Sequence, residues 1–172
     1  GRFVDKLPPN VLLAPLILAA LPNARVIVLR RHPADSVLAN YRQIFARGAG
    51  YLDYTYDLER AAHYYVGFER MLRVFRDRLP SHRFMEVAYE DIVSDLEGQT
   101  RRTLDFCGLA FEPACLNFHE NRSPVATASA AQARQPIYAS SVGRWKACRP
   151  ALDPALRVLV DAGLMSADEA FG

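Results

Sequence analysis

The chain has 172 residues, of which 51% are hydrophobic and 23% are charged, as expected of one globular domain with its own core. Lysine and arginine number 21 against 19 acidic residues, and the net charge of +2 argues against a broad nucleic-acid or membrane surface. The longest apolar run, residues 11–21, is interrupted by Pro15 and falls far short of the about 20 residues of a membrane span. Three widely spaced cysteines suit neither a disulfide framework nor a zinc site, so we expect a cytoplasmic protein without a bound metal.

The first part of the chain is predicted to alternate between strands and helices. Residues 2–4 have a strand pattern, two consecutive prolines suit a helix entry, and residues 11–20 are predicted to be helical. Residues 25–29 have the continuous apolar character of a strand that is covered on both faces. Pro33 then opens a helix over residues 33–48, because its missing N–H costs nothing in the first turn.

The rest of the chain continues this alternation less regularly. A tyrosine-rich loop over residues 50–57 precedes a long amphipathic helix at 58–79. A strand at 83–87, a helix at 91–107 and a last helix at about 153–161 follow. This order predicts an α/β domain with an open, mostly parallel sheet flanked by helices.

A pair of arginines falls at the end of the strand predicted at 25–29. In an open α/β sheet, ligands bind beyond the carboxyl ends of the strands, where helix N-termini present free N–H groups and positive dipole ends. Arg31, followed by His32 and Pro33, lies at such an edge. The position predicts an anion site, and the alternative is that the arginines only end a strand in solvent.

Four further stretches bring basic and polar side chains to comparable positions. They are "VDKLP" with Lys6, "VAYED" with Tyr89, "TASAAQARQPIY" with Ser129, and "GRWK" with Arg144. Together with "RVIVLRRHPADSVLANYRQIF" around Arg31, their order and content resemble the sulfotransferase superfamily. The resemblance is strongest to bacterial sulfotransferases joined to tetratricopeptide repeats, which are related to the tyrosylprotein sulfotransferases.

The resemblance implies 3′-phosphoadenosine 5′-phosphosulfate as the donor and assigns Arg31 to its 3′-phosphate. A guanidinium suits this role because its fork of donors forms charge-assisted hydrogen bonds with a phosphate. The family usually has a serine eight positions later, where this chain has Ala39, so Asn40 or Ser36 is the expected substitute. Arg144 matches a basic residue that approaches the same phosphate from the C-terminal segment.

Three further residues take roles from the same resemblance. Tyr89 matches a tyrosine that lies against the nucleotide, and the alternative is a buried tyrosine that closes a strand. Lys6 matches the lysine that stabilises negative charge as the sulfuryl group moves, and its alternative is an exposed lysine before a turn. Ser129 matches a serine near the transferring group. Lys6 and Ser129 are therefore the predicted catalytic residues.

One part of the family pattern is missing from this sequence. The loop that binds the 5′-phosphosulfate, a Gly-x-x-Arg-Ser-Gly-Thr-like segment, does not occur, and neither does a G-x-x-x-x-G-K-[ST] P-loop. We therefore expect residues 1–172 to form a partial sulfotransferase domain that lacks its N-terminal strand-loop-helix portion. That portion, or an N-terminal repeat region, is the expected partner, and transfer by this chain alone is expected to be incomplete or absent.

The expected activity is sulfuryl transfer to a hydroxyl or amine of an unidentified acceptor, with adenosine 3′,5′-bisphosphate as the product. A non-catalytic α/β nucleotide-binding or interaction module is the main alternative. A nucleotide kinase shares the architecture, but the phosphate loop it needs is absent. His32 is predicted to open a helix rather than act as a base, and the tyrosines near residues 51–65 are predicted to pack rather than line an acceptor pocket.

Overall fold

The computed structural model describes residues 1–43, 50–121 and 134–172. Its helices and strands are, in chain order, α1 (Ala14–Ala20), β1 (Val26–Arg30), α2 (Pro33–Arg42), α3 (Leu58–Arg78), β2 (Phe84–Ala88), α4 (Tyr89–Ser94), α5 (Leu96–Cys107), α6 (Arg149–Asp161) and α7 (Ala167–Phe171). Among the described residues, every helix falls short of the length and apolar character that crossing a bilayer requires.

The chain divides into two compact units. The sheet unit comprises Gly1–Arg30 and Phe75–Tyr138, and the helical unit comprises Arg31–Val74 and Ala139–Gly172. β1 and β2 belong to the sheet unit, whereas α2, α6 and α7 belong to the helical unit.

β1 and β2 pair in parallel, with Val26 opposite Phe84 and Arg30 opposite Ala88. A parallel pair requires a long connection, as the alternating sequence pattern predicts. The prediction that β1 is covered on both faces is wrong for the described residues. Val28 is buried, but Ile27 and Leu29 are 40% and 61% exposed because strand residues alternate between the two faces of a sheet.

The predicted strand at residues 2–4 is also wrong. In the described part of the chain, only β1 and β2 form a sheet, and Phe3 and Val4 are 86% and 93% exposed. Without a neighbouring strand, so short a segment has no partner for its backbone groups. Lys6 therefore does not end a strand: it lies exposed in an irregular segment before a 3₁₀ helix at Pro8–Leu13.

The helix predicted at residues 91–107 is divided in the structure. α4 ends at Ser94 and α5 begins at Leu96, and the Asp95 carboxylate between them accepts a 2.9 Å hydrogen bond from the backbone N–H of Gly98. This bond caps the N-terminus of α5, which is the position where Asp is most favourable in a helix. A Cβ at Gly98 would lie 2.0 Å from an Asp95 carboxylate oxygen, so any other residue there would require the Asp95 carboxylate to shift.

Other boundaries differ less from the predictions. β1, α3 and β2 lie within one residue of the predicted bounds, and residues 44–48 of the predicted second helix lie outside the described residues. Gly50–Tyr56, predicted to be a loop, forms a 3₁₀ helix. α6 begins at Arg149, earlier than predicted, and the sequence reading did not include α7.

The core of the helical unit is formed by residues of α2, α3, α6 and the C-terminal segment. On α6, buried apolar residues recur at the three- and four-residue spacing of one helix face. The cluster contains Ala34, Val37, Leu38, Ala61, Ala62, Tyr65, Val66, Trp145, Leu152, Ala155, Leu156, Leu159, Met165 and Ala170. Among the described residues, Trp145 is the largest fully buried side chain, and it belongs to this core.

Candidate functional site

Arg31 follows β1 directly and precedes α2, as the sequence predicted. Its guanidinium donates a hydrogen bond to the backbone carbonyl of Ser141 and lies 3.7 Å from a carboxylate oxygen of Asp35, one turn along α2. The side chain is 24% exposed. The guanidinium is thus held by two contacts within the helical unit and stays partly exposed, an arrangement that is compatible with anion binding.

Asp35 ties the start of α2 to the C-terminal segment. The residue is 1% exposed, and its two carboxylate oxygens accept hydrogen bonds from the backbone N–H of Gly143 at 2.7 Å and of Trp145 at 2.9 Å. Gly143 has a φ of 67°, which glycine adopts at little cost and which turns the two N–H groups towards one anion. Arg144 lies between these two anchored residues.

Trp145, in the same C-terminal segment, contacts His32. The His32 and Trp145 rings stack with their centroids 5.5 Å apart and an interplanar angle of 4°, and Nε2 of His32 lies 2.9 Å from Oε1 of Glu169 on α7. His32 occupies the N-cap position of α2, as predicted, but its side chain forms no capping hydrogen bond. The imidazole is therefore part of the packing that holds Trp145 and α7 against the start of α2.

The predicted phosphate contacts at Asn40 and Arg144 have different surroundings. The Asn40 amide donates a 2.9 Å hydrogen bond to the carbonyl of Ser36 on the same helix. Arg144 is exposed, and within the described residues it forms no hydrogen bond or ion pair. Both belong to the helical unit with Arg31. Ser141 and Asp35 link the Arg144 segment to Arg31. Ser36, the partner of Asn40, donates a 3.5 Å hydrogen bond from its hydroxyl to the carbonyl of Arg31.

The remaining predicted site residues lie elsewhere. Tyr89 begins α4 directly after β2, and its half-buried hydroxyl donates a 3.2 Å hydrogen bond to the carbonyl of Tyr138. Lys6 and Tyr89 both belong to the sheet unit. Ser129 lies outside the described residues. Their predicted roles stay predictions.

The two consecutive arginines have separate roles. In the sheet unit, Nε of Arg30 lies 3.2 Å from the Glu86 carboxylate, which also accepts two 3.0 Å hydrogen bonds from Arg76. This bidentate pair with Arg76 joins β2 to the end of α3. Arg30 thus takes part in an ion-pair network of the sheet unit, whereas Arg31 contacts Ser141 and Asp35 in the helical unit.

The tyrosines before and within α3 pack together. Tyr54 and Tyr64 stack with ring centroids 3.8 Å apart, and Tyr65 is buried with its hydroxyl 2.9 Å from the carbonyl of Arg31. The packing prediction is confirmed for these three residues. Burial, followed by the charge of Tyr64, raises the pKa of Tyr54 from 10.0 to about 12.

This raised pKa predicts a specific alkaline instability. Since Tyr54 keeps its proton longer in the folded chain than in the unfolded one, stability should fall as the pH rises from 10.0 towards about 12. We expect Tyr54→Phe to reduce the loss of unfolding free energy between about pH 9 and about pH 11. Denaturant titrations at both pH values measure the unfolding free energy of each variant. Tyr56→Phe is the control, because Tyr56 is exposed. An identical loss in Tyr54→Phe and wild type would contradict the raised pKa.

A comparison with known protein families shows which family this chain belongs to. The family model described as "Sulfotransferase family" matches residues 1–113, a range that includes Lys6, Arg31 and Tyr89 but not Arg144. The chain belongs to the sulfotransferase family. The resemblance inferred from the sequence motifs is therefore confirmed at the level of the family.

Two further proteins resemble this sulfotransferase-family chain. An uncharacterized protein of Aquifex aeolicus (strain VF5) is 34% identical over 158 residues, which are 92% of this chain and 21% of that protein. The solved structure "Sulfotransferase Domain from the Curacin Biosynthetic Pathway" superposes with a TM-score of 0.57 and 16% identity, over 93% of this chain and 62% of that one. This likeness confirms the predicted α/β fold, and the chain spans only part of the length of both proteins.

Proposed function

We propose that this chain forms the part of a sulfotransferase that binds the 3′-phosphate of 3′-phosphoadenosine 5′-phosphosulfate. The observation that carries the proposal is Arg31, whose guanidinium is held between the Ser141 carbonyl and the Asp35 carboxylate at the start of α2. A partly exposed guanidinium beside the N-terminus of a ten-residue helix suits a dianionic phosphate, because both favour negative charge.

The proposed reaction moves the sulfuryl group from the donor to a hydroxyl or amine of an acceptor. The acceptor oxygen or nitrogen forms a bond to sulfur while the bond from sulfur to the 5′-phosphate oxygen breaks. The acceptor proton passes to a base, and adenosine 3′,5′-bisphosphate is released. Such a transfer needs in-line positioning and fixed cations where negative charge gathers.

The other assigned residues take supporting roles in this proposal. Arg144 and Asn40 would add contacts to the 3′-phosphate, and the Tyr89 ring would stack on the adenine. Lys6 would stabilise the charge that develops during transfer, and Ser129 would lie near the sulfuryl group. We also propose a cytoplasmic location. The free thiols of Cys107, Cys115 and Cys148 are compatible with the reducing conditions there.

We further propose that another segment completes the donor site. The chain spans 62% of the solved sulfotransferase domain, and the sequence contains no glycine- and arginine-bearing 5′-phosphosulfate loop. The 172-residue chain is then a partial domain that binds the 3′-phosphate end of the nucleotide without transferring the sulfuryl group. The missing loop, from a longer polypeptide or a partner that carries repeats, would restore transfer.

Thermal unfolding tests the proposed nucleotide specificity. Adenosine 3′,5′-bisphosphate at about 100 times its dissociation constant should raise the melting temperature by about 5 to 10 °C, and ATP and AMP should do less. Arg31→Ala should lower the affinity for the bisphosphate by about 10- to 100-fold, since it removes the charge-assisted bonds. Arg31→Lys should restore part of the affinity, because an ammonium keeps the charge but not the fork.

Arg157→Ala is the matched control, since Arg157 is 67% exposed and pairs with Asp153 on α6. Its affinity for the bisphosphate should equal that of the wild type. A chain that responds to no nucleotide would instead support a non-catalytic module. A larger shift with ATP than with the bisphosphate would support a kinase-like protein.

A further inference from the structure

We propose that Asp35 is the positioning residue of the phosphate site, because its buried carboxylate fixes Arg31 and the segment that carries Arg144 relative to each other. This inference rests on the proposed function, and it assigns a role to a residue that the sequence motifs did not single out. Asp35 itself would not touch the nucleotide. It would act through the two arginines.

Both carboxylate oxygens of Asp35 are held by contacts within the helical unit. One oxygen accepts from the N–H of Gly143 and lies 3.7 Å from Arg31, and the other accepts from the N–H of Trp145. The side chain has no exposed area. Hydrogen bonds to an ionised acceptor are stronger than neutral ones, and breaking a buried one leaves the charge unpaired. The position of the Asp35 carboxylate is therefore restrained by its hydrogen bonds.

The same contacts fix the backbone around Arg144. Gly143 and Trp145, its neighbours on both sides, are held by Asp35, and Ser141 accepts a hydrogen bond from Arg31. The segment thus contacts the Arg31 guanidinium directly through the Ser141 carbonyl and indirectly through the Asp35 carboxylate. Two arginines whose backbones are already placed lose less entropy when they close on one phosphate, so the arrangement favours binding.

The charge of Asp35 acts in the opposite direction. A carboxylate 3.7 Å from the guanidinium offsets part of the positive charge that attracts the phosphate. The two effects predict opposite results for the neutral, nearly isosteric Asp35→Asn. Affinity for the 3′-phosphate falls if Asp35 positions the arginines, and it rises if Asp35 only neutralises Arg31.

Calorimetric titration well below the melting temperature separates these outcomes. We expect Asp35→Asn to weaken binding of adenosine 3′,5′-bisphosphate by about tenfold, the equivalent of one lost charge-assisted hydrogen bond. Binding of AMP, which lacks the 3′-phosphate, should stay unchanged. Asp153→Asn, which removes an exposed acid paired with Arg157, is the control and should bind both nucleotides like the wild type.

Gly143→Ala is a second variant in case Asp35→Asn does not fold. Its φ of 67° becomes strained with any other residue, so the anchored segment should shift while the Asp35 charge remains. A selective loss of bisphosphate binding in Gly143→Ala supports the inference, because the neutralising charge is still present. Unchanged bisphosphate binding in that variant contradicts it.

The possible failures are distinguishable. If the wild type binds the bisphosphate and Asp35→Asn binds it equally well or more tightly, the positioning role is wrong and the proposed function stands. An equal loss for the bisphosphate and AMP also rejects the inference, because it shows a general structural defect. A wild type that does not bind the bisphosphate overturns both.

Discussion

Replacement of Trp145 by alanine is expected to lower the free energy of unfolding by about 3 to 5 kcal/mol, as for other large core aromatics. Trp145 is 1% exposed and belongs to the core cluster of the helical unit. Alanine removes the ring but keeps the backbone N–H, so the hydrogen bond to Asp35 can persist. The loss therefore measures the cavity and the lost ring contacts with His32 and Arg149.

Urea unfolding of Trp145→Ala measures this loss, with the midpoint and slope fitted together. Trp145→Phe should lose less than half of the unfolding free energy that Trp145→Ala loses, because the smaller ring still fills part of the space. Tyr41→Ala is the control, since Tyr41 lies half-exposed on α2, and its effect should stay below about 1 kcal/mol. A Trp145→Ala variant as stable as this control would show that the ring is not central to the core.

The sequence predicted the type of most elements because their apolar periodicity is local. α3 repeats apolar residues over its whole length, and β1 and β2 are short apolar runs between turns. The division between α4 and α5 was missed because it depends on one side chain. An aspartate inside a helical pattern is tolerated, and only the Asp95 bond to the N–H of Gly98 shows that it starts a new helix.

The site was predictable only in part, for a similar physical reason. Arg31 stands out because it occupies a strand-to-helix junction, a feature of local sequence. Asp35 looks like an ordinary acid in the first turn of α2, and its partners Gly143 and Trp145 lie 108 and 110 residues away. Glu169, the partner of His32, is 137 residues away. No local pattern reports such contacts, because they arise only when α2 and the C-terminal segment pack together.

Strand alternation also explains which inference about β1 was wrong. A run of apolar residues is compatible with coverage on two faces, but it does not show that two coverings exist. Val28 is buried, whereas Ile27 and Leu29 are exposed in the described structure. The composition of a strand therefore indicates which faces can be buried. Whether a face is buried depends on the elements that pack against it.

Arg83→Ala is expected to destabilise the sheet unit by about 3 kcal/mol, because one guanidinium holds three backbone carbonyls. Nε of Arg83 donates to the carbonyl of Ala24 at 3.0 Å, and Nη2 donates to those of Leu18 and Leu21 at 2.9 and 2.5 Å. Leu18 lies in the last turn of α1, where a helix leaves acceptors unsatisfied, Leu21 is the C-cap residue of α1, and Ala24 precedes β1. Arg83 thus caps α1 and fixes the turn into the sheet.

Chemical denaturation and hydrogen exchange of the α1 amides test this role. Arg83→Lys should recover less than half of the loss, since one ammonium does not span three carbonyls arranged for a guanidinium fork. Arg102→Ala is the control, because Arg102 is exposed and bonds only Gln99 on its own helix among the described residues. Faster exchange in α1 with Arg83→Ala, and not with Arg102→Ala, would locate the loss at the cap. Equal stability of the two variants would mean that water replaces the three hydrogen bonds without cost, contrary to the prediction.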